Sequence, residues 1–294
     1  MKAVDFDYAR AASIDETCRL LAGAKGEVKI IAGGQTLVPL LAMRLTRPAL
    51  LVDINGIASL QGVETRDGAV SIRACTRQAD ALAHAEIRAR LPLLAKALGF
   101  VGHAQTRNRG TVGGSLANAD PSAEIGLACL ALDCQIVARK DGGERVIPIG
   151  GFFLGPMTTA LKPEECLTEI RLSPWRERGR IGTGFKEISI RRSDFALVAV
   201  SCQLVLGEDG VCRRLSLALG GVGPAPFRAD DVEKRLTGTR LESRDIENAV
   251  ASLQETIEPQ SDLHVSADYR RRVTGALAAR AIAEAHGEAM AGGA

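Results

Sequence analysis

Val28-Lys29-Ile30-Ile31-Ala32-Gly33-Gly34-Gln35-Thr36-Leu37 is the stretch around which the chain is organised. The β-branched run predicts a strand, the glycine pair a sharp turn, and the apolar spacing beyond Thr36 a helix. A strand entering a helix leaves backbone N–H groups free to meet an anion, and glycines let the main chain come close to it. Gln35 and Thr36 add side-chain donors. The spacing is not G-x-G-x-x-G, and no Lys follows the glycines as in a P-loop. By itself the turn reads more simply as a structural glycine turn between strand and helix than as a phosphate cradle.

Around this turn the pattern is βαβαβ. A strand at 2–8 precedes a helix that starts at Ser13, where Ser13 and Glu16 form a capping box. The strand at 28–32 and a helix through Leu37, Leu40, Leu41 and Leu45 lead to a strand at Leu50–Ile54. Short crossovers of this kind make a small parallel sheet. Asp53 lies at the distance of a ribose-binding acid, but the motif before it is wrong, so it reads as structural.

From residue 62 the pattern changes to a hairpin around Asp67-Gly68, then a helix at about 77–84. A second helix spans about 86–98, with Pro92 marking a break or a new first turn. It delivers the chain past Val101-Gly102-His103 to a second glycine run, Arg107-Asn108-Arg109-Gly110-Thr111-Val112-Gly113-Gly114-Ser115, which continues to Leu116-Ala117-Asn118-Ala119-Asp120-Pro121. Two paired-glycine turns flanked by hydroxyl side chains point to one extended anionic ligand. His103 has no visible partner and reads as a packed or loop histidine.

A helix through Ile125, Leu127, Leu130 and Leu132 then precedes strands at 134–139, 144–149 and 166–172. The polar stretch Pro174 to Gly184 is the best linker. Beyond it come strands at 185–190, 195–206 and 211–220 in an antiparallel meander, then helices at 228–236, 243–257 and 268–286. The fold class is α+β. A first part, 1–176, divides into a parallel βαβαβ unit (about 1–56) and a mainly antiparallel sheet with helices (57–176), and a second part, 177–294, is an antiparallel sheet with helices.

With 46% hydrophobic and 24% charged residues, the 294-residue chain has the composition of a globular protein. A net charge of +2 and 3% aromatics argue against nucleic-acid binding. The Arg270-Arg271-Arg272 cluster reads as a solvated face or a subunit contact. Charged residues within the first ten exclude a signal peptide, and no apolar run reaches the ~18 residues of a spanning helix, so the expected location is the cytoplasm. Seven cysteines without a C-x-x-C pair read as buried thiols, not cluster or metal ligands. No catalytic Ser-His-Asp or Cys-His set is recognisable. Much binding machinery with little acid–base machinery is what a redox cofactor requires of its protein.

The A-G-G-Q-T-L turn at 32–37, the R-N-R-G-T-V-G-G-S-L-A-N-A-D-P run at 107–121, and Phe185-Lys186 leading to Arg191-Arg192-Ser193-Asp194-Phe195 closely resemble the FAD-binding medium subunit of molybdenum hydroxylases. That family includes the xanthine dehydrogenase and carbon monoxide dehydrogenase types, and the resemblance spans essentially the whole chain. It implies that Ala32, Gly33, Gly34, Gln35 and Thr36, with Thr111, Gly113, Gly114 and Ser115, hold the FAD diphosphate and its surroundings. Leu37, Val101, Gly102 and Asn118 join them as cofactor contacts. By the same resemblance Glu124 contacts the cofactor, Leu167 lines the adenine pocket and Lys186 stands near the flavin end. Phe195 falls over the flavin ring, where it would gate the electron acceptor.

Val101 replaces a larger aromatic residue of the xanthine dehydrogenase type. Phe195 is neither the Tyr of the carbon monoxide type nor the aliphatic residue of the animal type. The resemblance implies molybdopterin on a large partner subunit, iron–sulfur clusters on a small one, and a dimer of heterotrimers. The rival readings are a self-sufficient FAD-dependent oxidase or dehydrogenase with its own substrate site, and a scaffold that has lost its nucleotide.

Overall fold

A computed structural model describes residues 2–292. The first unit comprises β1 (Asp7–Arg10), α1 (Ile14–Gly23), β2 (Val28–Ile31), α2 (Leu37–Ala42) and β3 (Leu50–Asp53). Its three strands are parallel in the order β1-β3-β2, with Asp7 and Val28 both opposite Leu50. Ser13 caps α1 by accepting from Glu16 N at 3.1 Å, and the Glu16 carboxylate reaches back to Ala12 N at 2.7 Å. The first strand starts later than 2–8 because pairing begins where Asp7 N meets Ala49 O. The helix expected through Leu45 stops at Ala42, and Arg44 turns the chain with a left-handed φ of 60°.

The second unit opens with the hairpin β4 (Val63–Arg66) and β5 (Ala69–Arg73). Six helices follow: α3 (Gln78–Ala83), α4 (Ala85–Arg90), α5 (Pro92–Phe100), α6 (Ala104–Arg109), α7 (Val112–Asn118) and α8 (Glu124–Ala131). Pro92 is the new first turn of α5, so the helix expected over 86–98 is two helices. Strands β6 (Gln135–Lys140), β7 (Gly143–Pro148), β8 (Phe153–Gly155), β9 (Thr158–Thr159) and β10 (Cys166–Leu172) complete the unit. The main sheet is antiparallel in the order β4-β5-β10-β6-β7.

The last unit has β11 (Arg180–Ile188), β12 (Val198–Leu206), β13 (Cys212–Gly220) and β14 (Phe227–Arg228), antiparallel in that order. Helices α9 (Asp230–Leu236), α10 (Ser243–Ala251), α11 (Leu253–Thr256) and α12 (Ala267–Ala291) follow. The stretch expected to link the parts as far as Gly184 joins the sheet from Arg180, paired with Leu206. Within the remainder Trp175 is buried under the Arg214 guanidinium, 3.8 Å from the ring centre, so this connection is anchored.

The two faces of the C-terminal sheet are covered differently. On one, Val198, Val200, Cys202 and Leu204 of β12 pack against Leu277, Ala278, Ala281 and Ala285 of α12. Gly182 and Gly184 allow this, since a Cβ at either would strike the backbone of Ala285 or Ala281. On the other, Phe185, Ala199 and Ala218 join the core of the second unit, with the Phe185 ring 5.0 Å from that of Phe100. Arg270 is buried and donates to the carbonyls of Leu197 and Gly221 and to Asp262. It pins α12 to the sheet ends and is not the solvated cation expected from the arginine cluster.

All seven cysteines are buried and free. No helix among the described residues is long and apolar enough to cross a membrane.

Candidate functional site

The turn after β2 holds its carbonyls and frees its amides. Ala32 O accepts from Asn55 Nδ2 at 2.8 Å, and Gly33 O from Gln35 Nε2 at 3.3 Å. The N–H groups of Gly33, Gly34, Gln35 and Thr36 have no partner among the described residues. Gly34 sits at φ +69°, the left-handed conformation that turns successive amides toward one side. Four consecutive open donors with the Thr36 hydroxyl suit a diphosphate, each charge-assisted bond contributing about 1.5–3 kcal/mol. On this observation the residues fit the nucleotide that the sequence implies.

The second glycine run does not form a matching cradle. Its residues are the end of α6 and the start of α7, and their amides are used within the protein. Thr111 caps α7 by accepting from Gly114 N at 3.1 Å, while Val112 N and Gly113 N bond to Thr76 O and Ala74 O at 3.0 and 2.9 Å. What the run offers a ligand is hydroxyl chemistry, from Thr111 and Ser115. Its glycines serve close packing: a Cβ on Gly113 would lie 2.7 Å from Ala74 O.

The two runs meet directly. A Cβ on Gly33 would lie 2.5 Å from Arg109 O and 2.7 Å from Gly110 Cα, so the contact is backbone on backbone. Arg77 clamps it, donating to Arg109 O at 2.5 Å and to Asn55 Oδ1 at 2.9 Å. Asn55 in turn holds Ala32 O and is itself oriented by Asp53 Oδ1 at 2.7 Å. Burial alone would raise the Asp53 carboxyl, but hydrogen bonds from Tyr8 and Asn55 outweigh it and hold the group below the usual carboxylate range. Asp53 is thus structural, as its sequence context indicates.

The remaining expected residues lie in several surroundings. Val101 is buried and Gly102 takes a φ of +47°, with both carbonyls accepting from Arg107 Nη1 at 2.9 and 2.7 Å. Asn118 Nδ2 approaches Met157 Sδ at 3.7 Å, and Leu167 is a buried core residue of β10. Glu124, at the start of α8, has no ion-pair partner among the described residues. Burial pushes its carboxyl up to about 7, with the negative charge of Asp120 adding to the effect. Lys186 is drawn to the α12 side of β11, where its Nζ lies 2.9 Å from Glu284 Oε2. Phe195 is 75% exposed on the loop between β11 and β12, held by no aromatic neighbour. His103 is an exposed loop residue before α6.

Sequence reasoning missed Asn55 and Arg77. Arg77 and Asn55 carry no motif, and only the folded chain brings them between the glycine runs. Two cavities lie elsewhere: about 500 Å³ lined by Asp133, Trp175, Glu177 and Arg214, and about 290 Å³ lined by Cys75, Thr76, Arg77 and His84. Only Arg77 connects either to the open turn. An extended dinucleotide laid along a surface seam needs no such enclosed volume.

Comparison with known families identifies this arrangement. Residues 4–175 match the FAD binding domain in molybdopterin dehydrogenase, and residues 183–285 match the CO dehydrogenase flavoprotein C-terminal domain. The chain belongs to the molybdopterin dehydrogenase FAD-binding family. This medium-subunit chain is 38% identical over 285 residues to the 6-hydroxypseudooxynicotine dehydrogenase complex subunit alpha of Paenarthrobacter nicotinovorans, covering 97% of this chain and 96% of that one. Its fold matches carbon monoxide dehydrogenase from Hydrogenophaga pseudoflava with a TM-score of 0.94 and 30% identity, covering 98% of this chain and 100% of the other. It matches quinoline 2-oxidoreductase from Pseudomonas putida 86 with a TM-score of 0.93 and 32% identity, covering 99% and 100%. The medium-subunit chain is thus an FAD-binding oxidoreductase subunit of a multisubunit molybdenum hydroxylase.

Proposed function

We propose that this chain is the electron-transfer subunit of its complex, taking electrons from iron–sulfur clusters of a small partner subunit and passing them to NAD, a quinone or another acceptor. The reading rests on the open amides of Gly33 to Thr36 within a chain that matches the family along nearly its whole length. Bound flavin supplies the redox chemistry, storing a pair of electrons that arrive singly. The chain's own residues bind and orient: Ala32 to Leu37 and the hydroxyls of Thr111 and Ser115 hold the diphosphate region. Val101, Gly102, Asn118, Glu124 and Leu167 shape the adjoining walls. Lys186 reaches the site only by exchanging its bond to Glu284, and Phe195 is free to swing over an acceptor pocket.

The diphosphate region of the site belongs to the part spanning 1–176, and the second part, 177–294, contributes Lys186 and Phe195. The solved relatives are named for carbon monoxide and quinoline while sharing this fold, which supports a substrate chosen by a separate large molybdopterin subunit. The assembly proposed is a cytoplasmic dimer of heterotrimers.

The test is a visible spectrum of the chain, alone and co-expressed with its partners, followed by anaerobic substrate and then NAD. A flavin spectrum bleached only with partners and substrate present is expected. Bleaching of the isolated chain by an organic substrate would establish a self-sufficient enzyme instead, and a chain that never holds flavin would sink both.

A further inference from the structure

Helix α8 is apolar beyond Glu124, and every residue from Ile125 to Ala131 is buried. A helix with no wet face needs protein partners for the carbonyls of its last turn, because a buried carbonyl left unpaired is costly. Two of those partners come from the C-terminal sheet. The buried Ser216 of β13 donates its hydroxyl to Ala131 O at 2.6 Å, and Arg228 Nη1 of β14 donates to Leu130 O at 3.0 Å. The arginine also meets the negative end of the helix.

The same sheet holds the segment that enters the helix. Gly221 N, just past β13, donates to Pro121 O at 3.2 Å, and a Cβ on Gly220 would lie 3.1 Å from that oxygen. Pro121 thus meets Gly220 and Gly221 while Ala131 meets Ser216, so α8 lies antiparallel along β13. The eight residues of α8 span about 12 Å, and the strand from Ser216 to Gly220 about 13 Å, so the two match in length.

Beyond Ala131 the attachment is electrostatic. Asp133 turns the chain from α8 into β6 at a left-handed φ of 53°. Its carboxylate accepts from Arg214 Nη2 of β13 at 2.9 Å and from Arg228 Nη1 of β14 at 2.8 Å. Arg214 also donates to Glu177 Oε1 at 2.6 Å and covers the Trp175 ring. Arg228 pairs with Glu233, whose Oε1 accepts from Leu217 N at 2.7 Å. Glu177, Arg214, Asp133, Arg228 and Glu233 therefore alternate in sign, with each arginine between two carboxylates. Without the charge of Asp133, two guanidiniums would share a gap with no anion between them.

We propose that Asp133 is a positioning residue of the nucleotide site: by tying α8 to Arg214 and Arg228 it makes the C-terminal sheet a splint for the segment that runs from Gly110 through α7 and Pro121. That segment is pinned to the open turn at its start, where Gly110 abuts Gly33, and to the end of β13 at its finish. Apolar packing holds α8 on the sheet without direction, whereas charge-assisted hydrogen bonds fix where along the strand the helix stops. A slip of α8 along β13 is passed back through Pro121 to Thr111 and Ser115. The link to the cofactor rests on the FAD reading of those residues, and the tie itself rests on the contacts.

The experiment compares the full chain as wild type and Asp133→Asn, an exchange that removes the charge and keeps a residue suited to the left-handed turn. Asp209→Asn is the control, because it breaks an ion pair with Arg213 in the turn between β12 and β13 and touches nothing on α8. Trp175 is the single tryptophan, so its emission reports on the Arg214 end of the ladder. Asp133→Asn should move that emission to longer wavelength and weaken FAD binding by about 3- to 10-fold, measured by titrating the deflavinated chain. The control should keep wild-type emission and affinity. Wild-type FAD affinity in Asp133→Asn, whatever its Tm, would overturn the proposal, since a tie that only stabilises the fold leaves the site in place. If Asp133→Asn does not fold, Ser216→Ala, which removes the bond to Ala131 O at the same end of the helix, decides it by the same titration. A wild-type chain that takes up no FAD would overturn the FAD reading, and with it the positioning role.

Discussion

Replacing Gly33 by alanine tests whether the two glycine runs must touch for the site to exist. The new Cβ would lie 2.7 Å from Gly110 Cα and 2.5 Å from Arg109 O. Carbon atoms settle at about 3.5 to 4.0 Å, so the runs must part by roughly 1 Å. Both sides are main chain, and no side chain can rotate away to absorb the strain. The separation also stretches the clamp from Arg77 to Arg109 O and Asn55. Overpacking of this kind costs about 1–3 kcal/mol, which in a chain of this size corresponds to a Tm lower by roughly 3 to 10 °C.

Misplacing the open amides by the same distance removes one or more diphosphate bonds and weakens FAD binding by about 10- to 100-fold. The assay is flavin content per chain from the ratio of visible to ultraviolet absorbance, followed by thermal unfolding. Gly99→Ala is the control, because a Cβ there meets nothing within 4 Å and α5 continues through it. It should keep both flavin and Tm. A Gly33→Ala protein with wild-type flavin content and a Tm within about 1 °C of wild type would refute the abutment as a requirement.

Arg77→Ala should lower Tm by an amount corresponding to about 1–3 kcal/mol and reduce flavin content. Arg77→Lys should recover less than half of either, because one ammonium cannot span Arg109 O and Asn55 Oδ1 as a guanidinium fork does. Full recovery by lysine would show that charge alone matters there. Burial pushes the thiols of Cys75 and Cys212 up to about 11 and that of Cys166 up to about 12. All seven thiols should therefore resist alkylation at pH 8 in the folded chain and react together in denaturant, as mass spectrometry would show. A thiol that reacts before unfolding would place it outside the cores.

Local chemistry was legible wherever its cause lay within a few residues. Ser13 and Glu16 announce the start of α1, Pro92 the start of α5, and the β-branched run at 28–31 the strand that enters the open turn. The motif order also carried the family, because three separated runs matched at the right spacing. How the second glycine run would meet a ligand was not legible for a reason of the same kind. Paired glycines look alike in sequence whether their amides are open, as after Gly33, or bonded to Ala74 and Thr111, as at Gly113 and Gly114.

The sequence by itself therefore determined the α+β pattern, the parallel unit around the first turn, the antiparallel meander and the family's cofactor. Each depends on periodicity, capping or contiguous motif chemistry. Tertiary structure alone decided that Gly33 rests on Gly110, that Arg77 and Asn55 clamp that contact, and that Arg270 is a buried pin. It also decided that Lys186 turns to Glu284 of α12 while Phe185 beside it enters the core of the second unit. Those outcomes depend on which distant segment is packed against each residue, and the free energy of a buried polar group is set by the partners that packing brings to it.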